Sequence, residues 1–143
     1  ALMHDQVGAL HEAGVPEASA RVAEGDFTSP GGYQAARELL TTGERPTAIF
    51  ASNDDMALGV LAAAQRLGMT LPNELSVAGF DDSPTAALVW PPLTTVRWPI
   101  VAMGRSAALK IIGSTASASM DDQEPSTFVS TLVRRGSVAP PMK

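Results

Sequence analysis

Apolar and polar positions along the chain fall into short apolar runs separated by longer amphipathic stretches. Residues 4–13 predict a helix closed by Gly14, a residue suited to the left-handed position past a helix end. Residues 21–24 predict the beginning of a short strand. Thr28-Ser29-Pro30 marks a helix start, with a hydroxyl to cap it and a proline in its first turn. That helix continues through Tyr33, Ala36 and Leu40 to about Thr42, where Gly43 stops it. After Pro46, residues 47–51 have strand character. Asn53 or Asp54 caps a helix over about 55–67, stopped by Gly68. Residues 75–80 predict a third strand, with Pro72 in the loop before it. Strand and helix alternate at βαβ spacing, which predicts an α/β fold with a parallel sheet flanked by helices on both faces.

The pattern changes at Ser83. Pro84, Pro91 and Pro92 block regular structure. Residues 93–97 then predict a strand, and 100–112 a helix with apolar positions at Met103, Ala107 and Ile111. Residues 113–126 carry little apolar content and predict a loop. Residues 127–134 alternate and predict a final strand, and the tail from Ala139 should fray. No internal repeat is visible. The helix over 55–67 has two apolar stripes, Met56, Val60, Ala64 and Leu67 on one side and Leu58, Leu61 and Ala62 on another. A surface helix needs one apolar face, so two predict burial on the sheet and against a partner surface.

Each predicted strand of the alternating part ends in a short polar cluster: Glu24-Gly25-Asp26-Phe27-Thr28, Ser52-Asn53-Asp54-Asp55 and Asp81-Asp82-Ser83. Ligands of open α/β sheets bind outside the carboxyl ends of the strands. The clusters therefore place an aromatic ring, an amide and several carboxylates along one rim, suited to a small polyhydroxylated ligand. Asn53 can donate to and accept from a hydroxyl at once. Asp81 can accept charge-assisted hydrogen bonds. Each residue also has a structural role open to it. Asn53 and Asp54 are good helix caps, with Asp54 the expected cap. Asp81 and Asp82 suit an Asx turn, with Asp82 the expected turn residue. Phe27 suits a core.

Composition narrows the classes. A chain of 143 residues, 45% hydrophobic and 17% charged, is long enough for one packed core and is not of the disordered type. No apolar run reaches the ~18 residues of a spanning helix, and residues 1–20 lack the layout of a secretion signal. A cytoplasmic chain with no membrane contact is expected. With no cysteine, disulfides and thiolate metal sites are excluded. The net charge of −5 argues against nucleic-acid binding by these residues themselves.

Three long segments carry a family resemblance. Pro46-Thr47-Ala48-Ile49-Phe50-Ala51-Ser52-Asn53-Asp54-Asp55-Met56-Ala57-Leu58-Gly59 resembles the central signature of LacI/GalR (lac-repressor/galactose-repressor) transcription regulators. Leu71 through Asp82 and Pro91 through Arg97 resemble two further segments of that family, and Leu132-Val133-Arg134-Arg135-Gly136-Ser137 matches its last strand. The resemblance implies the C-terminal subdomain of a periplasmic-binding-protein-like (type I) fold, incomplete here. Residues 1–95 would form the C-terminal effector subdomain. Residues 96–126 would be a crossover strand and helix belonging to the other effector subdomain, followed by a mobile loop, and 127–143 the return strand and tail. It implies an effector-sensing part of a regulator, with a sugar or related small polar molecule as effector and DNA contacted only through a domain absent from this chain. It implies a ligand site of Asn53, Asp81, Phe27, Ile100 and Trp98, and a homodimer face of Leu58, Leu61, Ala62 and Val89. Where the family carries a ligand-facing arginine early in this subdomain, this chain has Leu2. A sugar-binding protein of a transport system shares the fold and is the alternative.

Chemistry finds little support. Asp54 and Asp81 could be cast as the carboxylate pair of a glycosidase, but neither sits in an apolar setting that would make it a proton donor. His4 and His11 have no third ligand nearby, so no metal site is expected. No serine lies in a Gly-x-Ser-x-Gly elbow, and Gly31-Gly32 lacks the lysine of a phosphate loop. No catalytic residue and no cofactor are expected.

Overall fold

The computed structural model describes residues 8–9, 12–14, 21–115 and 127–141. Of the first predicted helix, Gly8, Ala9 and Glu12 have helical backbone, and Gly14 takes φ +77° as its position past a helix end requires. Leu2, His4, His11, most of the predicted loop before Ser126 and the last two residues lie outside the described residues.

Thr28 accepts a hydrogen bond from the Gly31 amide at 3.1 Å and opens α1 (Ser29–Thr41). Residues 21–24 form no strand. The Arg21 guanidinium instead donates to the carbonyls of Leu39 and Glu44 and to the Thr42 hydroxyl at 2.8–2.9 Å. A side chain, not a β ladder, fixes this segment, and it does so where the unpaired carbonyls of a helix end need donors. Strand β1 (Ala48–Phe50) leads into α2 (Asp54–Arg66), and β2 (Ser76–Ala78) into a 3-10 turn at Pro84–Ala87. Strand β3 (Thr95–Arg97) precedes α3 (Ile100–Thr115), and β4 (Thr131–Val133) comes last.

β1 and β2 pair in parallel, Ile49 opposite Val77. One parallel bridge, Ala78 to Thr94, joins this ladder to β3, and β3 pairs antiparallel with β4, Val96 opposite Leu132. The antiparallel pair follows from the path of the chain, which leaves along β3 and returns along β4. Each ladder is shorter than the run of strand-forming residues that predicted it. Of the last predicted strand, only Thr131–Val133 finds partners.

The core lies between the β1–β2 ladder and the α1–α2 pair. Leu40, Leu75, Leu93 and Val77 are its largest fully buried side chains, with Ile49, Val60 and Leu61 beside them. Each such side chain contributes roughly 1.5–3 kcal/mol on leaving water. The two helices approach closely because glycines face each other across the crossing. A Cβ on Gly32 would strike the Met56 backbone, and one on Gly59 would strike Ser29 O and Tyr33 N. Of the two apolar stripes predicted on α2, Met56, Val60 and Ala64 are buried and Leu67 is exposed; Leu61 of the second stripe is buried as well. Helix α3 runs three residues beyond its predicted end, and most of its length is exposed, including Ile100, Val101 and Ala107.

Candidate functional site: a polar rim at the strand ends

The loops after β1, β2 and β3 meet at one end of the sheet and are fastened by hydrogen bonds. Asn53 caps α2, its side-chain oxygen accepting from the Met56 amide at 2.8 Å, while its Nδ2 donates to the Phe27 carbonyl at 3.0 Å. This bond draws the loop before α1 to the loop after β1. The Asp54 amide donates to the Phe80 carbonyl at 2.8 Å and joins that loop to the one after β2. The Asp81 amide donates to the Val96 carbonyl at 2.9 Å, and the Trp98 indole donates to Asp81 Oδ1 at 3.1 Å, which brings in β3 and its exit. Phe27, Asn53, Asp81 and Trp98 are thus linked at one rim; Asn53 and Asp81 reach it from strand ends and Phe27 without a strand before it, and Ile100 opens α3 two residues past Trp98.

Backbone conformation marks the same place. Phe27, Asp81 and Asp82 have φ of +63°, +118° and +54°, and they are the non-glycine residues with positive φ among those described. Such residues persist when their surroundings over-determine them, and they gather at ligand sites. Phe27 is 64% exposed, so it is a surface residue and not a core residue. Trp98 packs edge-on against Phe80, with ring centroids 5.1 Å apart. Partial burial, together with the neighbouring charges of Asp54 and Asp55, pushes the Asp81 carboxyl above its ordinary range, against the opposing pull of the Trp98 hydrogen bond.

The two aspartates beside these residues have other roles than the sequence predicts. Asp54 is not the cap. It is fully buried, with Oδ2 accepting from the Ser83 amide at 2.7 Å and Oδ1 accepting from the Thr95 hydroxyl at 2.6 Å. Gly79 leaves room for this carboxylate, since a Cβ there would strike Asp54 Oδ1. Asp82 is more than a turn residue: it accepts from Arg97 and from Arg135 at 2.5 Å on opposite oxygens. Burial alone would raise its pKa, but the hydrogen bonds and charges of Arg135 and Arg97 outweigh this and hold it below the usual value. Sequence reasoning missed both arginines. Arg135 looked like half of a basic cluster, and only the pairing of β3 with β4 brings it to Asp82.

A second feature lies on α2 away from the rim. Leu58, Leu61, Ala62, Gln65, Val89 and Trp90 line an open concavity of about 270 Å³. All four residues predicted for a dimer face meet here. Leu61, at 3% exposure, belongs to the core and forms the floor, whereas Trp90 beside it is 79% exposed. Among the described residues no group of acidic or histidine side chains could hold a metal ion, and no helix is long and apolar enough to cross a membrane.

A polar rim at the strand ends is common to open α/β sheets, and the model of the periplasmic binding protein-like domain matches residues 6–138. The chain belongs to that family, in the form carried by LacI-family regulators. It is 41% identical over 131 residues to the HTH-type transcriptional regulator GalS of Salmonella typhimurium, covering 92% of this chain and 38% of that one. Among solved structures it resembles a sugar-binding transcriptional regulator of the LacI family from Escherichia coli complexed with phosphate, at 31% identity and TM-score 0.81, over 92% of this chain and 46% of that one. A LacI-family regulator from Enterococcus faecium with bound ribose gives TM-score 0.79 at 28% identity, over 93% of this chain and 48% of that one. The chain therefore spans less than half the length of these relatives.

Proposed function

We propose that this chain is the C-terminal effector-binding part of a LacI-type transcriptional regulator, and that its rim contacts a sugar or a related small polar ligand. The observation that carries this is the joining of Phe27, Asn53, Asp81 and Trp98 at one strand-end rim, with positive φ at two of the four. Asp81 keeps one carboxylate oxygen beyond its bond to Trp98, and Asn53 keeps one amide hydrogen beyond its bond to Phe27. A pair of sugar hydroxyls fits that offer, with the Phe27 ring against the flat face of the sugar and Ile100 at the edge. The regulators among the relatives favour this role over transport and over turnover of a substrate. Residues 96–126 serve as the crossover to a second subdomain, and residues 127–143 as the return. Binding by this chain is weak, because a cleft normally buries most of its ligand and the rim supplies one wall. The regulator acts in the cytoplasm, and DNA is contacted through a domain these residues do not include.

The concavity on α2 supports a homodimer through Leu58, Ala62 and Val89, with Leu61 as its floor. A two-fold pairing would cover the same patch on both copies. Calorimetric titration with a panel of pentoses and hexoses tests the ligand. Binding weaker than micromolar, lost in Asp81→Ala, is expected. Heat unchanged by Asp81→Ala and Asn53→Ala would refute the assignment of the rim.

A further inference from the structure

The Asp82 carboxylate stands between two strands that run in opposite directions. Its Oδ2 receives the Arg97 guanidinium through both Nε and Nη2 at 2.5 Å, at the end of β3. Its Oδ1 receives Arg135 Nη2 at 2.5 Å, two residues past β4. Arg135 is itself tied down: Nη1 donates to the Leu93 carbonyl at 2.8 Å, and its amide donates to the Thr94 hydroxyl at 3.0 Å. The Asp82 amide donates to Thr95 Oγ1 at 3.3 Å, the same hydroxyl that reaches the buried Asp54. A continuous polar line therefore runs from the first turn of α2, through Thr95, to Asp82 and both arginines. The Asp82 carboxylate is 7% exposed and Arg135 18%, whereas Arg97 is 61% exposed. One half of the clasp is buried and the other reaches the surface.

Position gives this arrangement a consequence. Asp81 and Asp82 are consecutive residues with positive φ, a conformation that must be held from outside. Asp81 is held from the other side by β3, through its amide to the Val96 carbonyl and its carboxylate to the Trp98 indole. Whatever fixes β3 against β4 at this level also fixes the direction of the Asp81 carboxylate. Bidentate and doubly paired carboxylate–guanidinium contacts are geometrically demanding, which suits a part that sets an angle.

We propose that Asp82 is a positioning residue that sets the Asp81–Trp98 pair by clamping the outgoing strand β3 to the returning strand β4 through Arg97 and Arg135. The importance for ligand binding rests on the assignment of Asp81 as a contact. The clamping does not.

The test separates the two. In the full chain carrying Trp90→Phe, Trp98 is the sole tryptophan and reports on the rim through acrylamide quenching. Asp82→Asn should raise the quenching constant about twofold and speed hydrogen exchange at the Asp81 amide about tenfold. Exchange of the α2 amides at Val60 and Ala64 should stay unchanged. Arg97→Met removes only the exposed half of the clasp, and should give a change of the same sign and about a third of the size. If Asp82→Asn loosens α2 as well, Arg97→Met decides the matter. Rim exchange and quenching at the parent value in Arg97→Met would overturn the proposal, as would equal acceleration everywhere. Titration with D-ribose is the second arm. Ribose binding weakened about threefold or more by Arg97→Met supports positioning. Binding of equal strength in parent and Arg97→Met, with the exchange changes present, removes Asp81 as a ligand contact and leaves the clamp standing; equal binding with unchanged exchange overturns the proposal. A parent that binds no sugar while the exchange changes appear removes the ligand assignment and leaves the clamp standing.

Discussion

Asp54 offers the sharpest test of how the rim is built. Its carboxylate is fully buried and satisfies two donors, the Ser83 amide and the Thr95 hydroxyl. In Asp54→Ala both donors lose their acceptor in a site without water access. Each buried orphan costs about 1–3 kcal/mol, so the loss should be roughly 3–5 kcal/mol once the vacated volume is included. In Asp54→Asn the shape is kept. The amide oxygen can still accept from the Ser83 N–H, which has no other acceptor. The amide NH2 then faces Thr95 Oγ1, which can accept, while the buried Thr95 hydroxyl proton loses its acceptor. One charge-assisted bond becomes neutral and another reverses, and the net loss should be about 1–2 kcal/mol. Urea denaturation measures both. With a slope of about 2 kcal/mol per M for a chain of this size, the midpoint should fall by ~0.5–1 M in Asp54→Asn and by ~1.5–2.5 M in Asp54→Ala. Equal losses in the two variants would refute the assignment of two satisfied donors, and so would an Asp54→Ala variant as stable as the parent.

Three further outcomes follow from the same geometry. Ala62→Asp should shift the light-scattering mass from dimer to monomer with the urea midpoint unchanged, whereas Leu61→Asp should prevent folding; a dimeric Ala62→Asp would reject the α2 face. The folded-state pKa of Asp81 is raised, so its ionisation destabilises the fold as pH climbs past the ordinary carboxylate range. Asp81→Asn should therefore have a higher urea midpoint than the parent at pH 7, with the gap closing toward pH 3, and a gap that widens in acid would contradict this sign. Gly59→Ala should cost about 1–3 kcal/mol because the helix crossing has no room for the methyl, while Gly104→Ala on exposed α3, where a Cβ meets nothing, should gain up to about 1 kcal/mol in a thermal melt.

The elements legible in the sequence are those set by local chemistry. Thr28 with Pro30, and Gly43 and Gly68, fix helix ends within a residue or two, since caps and left-handed glycines act over one turn. The clusters after β1 and β2 predict the rim because strand direction puts them there, whereas Phe27 has no strand before it and is tied to the rim by the bond from Asn53. Three things were not legible, for one physical reason: each depends on contacts distant in the chain. Arg21 looked like part of a strand, but its partners lie 18–23 residues ahead at the end of α1. Asn53 and Asp54 are both good caps in isolation, and only the approach of Ser83 and Thr95 takes Asp54 into the interior. Asp82 finds Arg135 across 53 residues, through a strand pairing that alternation cannot specify. Leu61 shows the same limit on α2, where periodicity places it on a second apolar face without saying that the face closes over it.

The most direct test of the effector-binding role is a two-dimensional amide and indole NMR titration of the full chain with D-ribose. Progressive shifts should appear at the Phe27, Asn53 and Asp81 amides and at the Trp98 indole, with the α2 concavity around Ala62 and Val89 silent, and should vanish in Asp81→Ala. Shifts confined to the α2 concavity, or rim shifts that persist in Asp81→Ala, would contradict it.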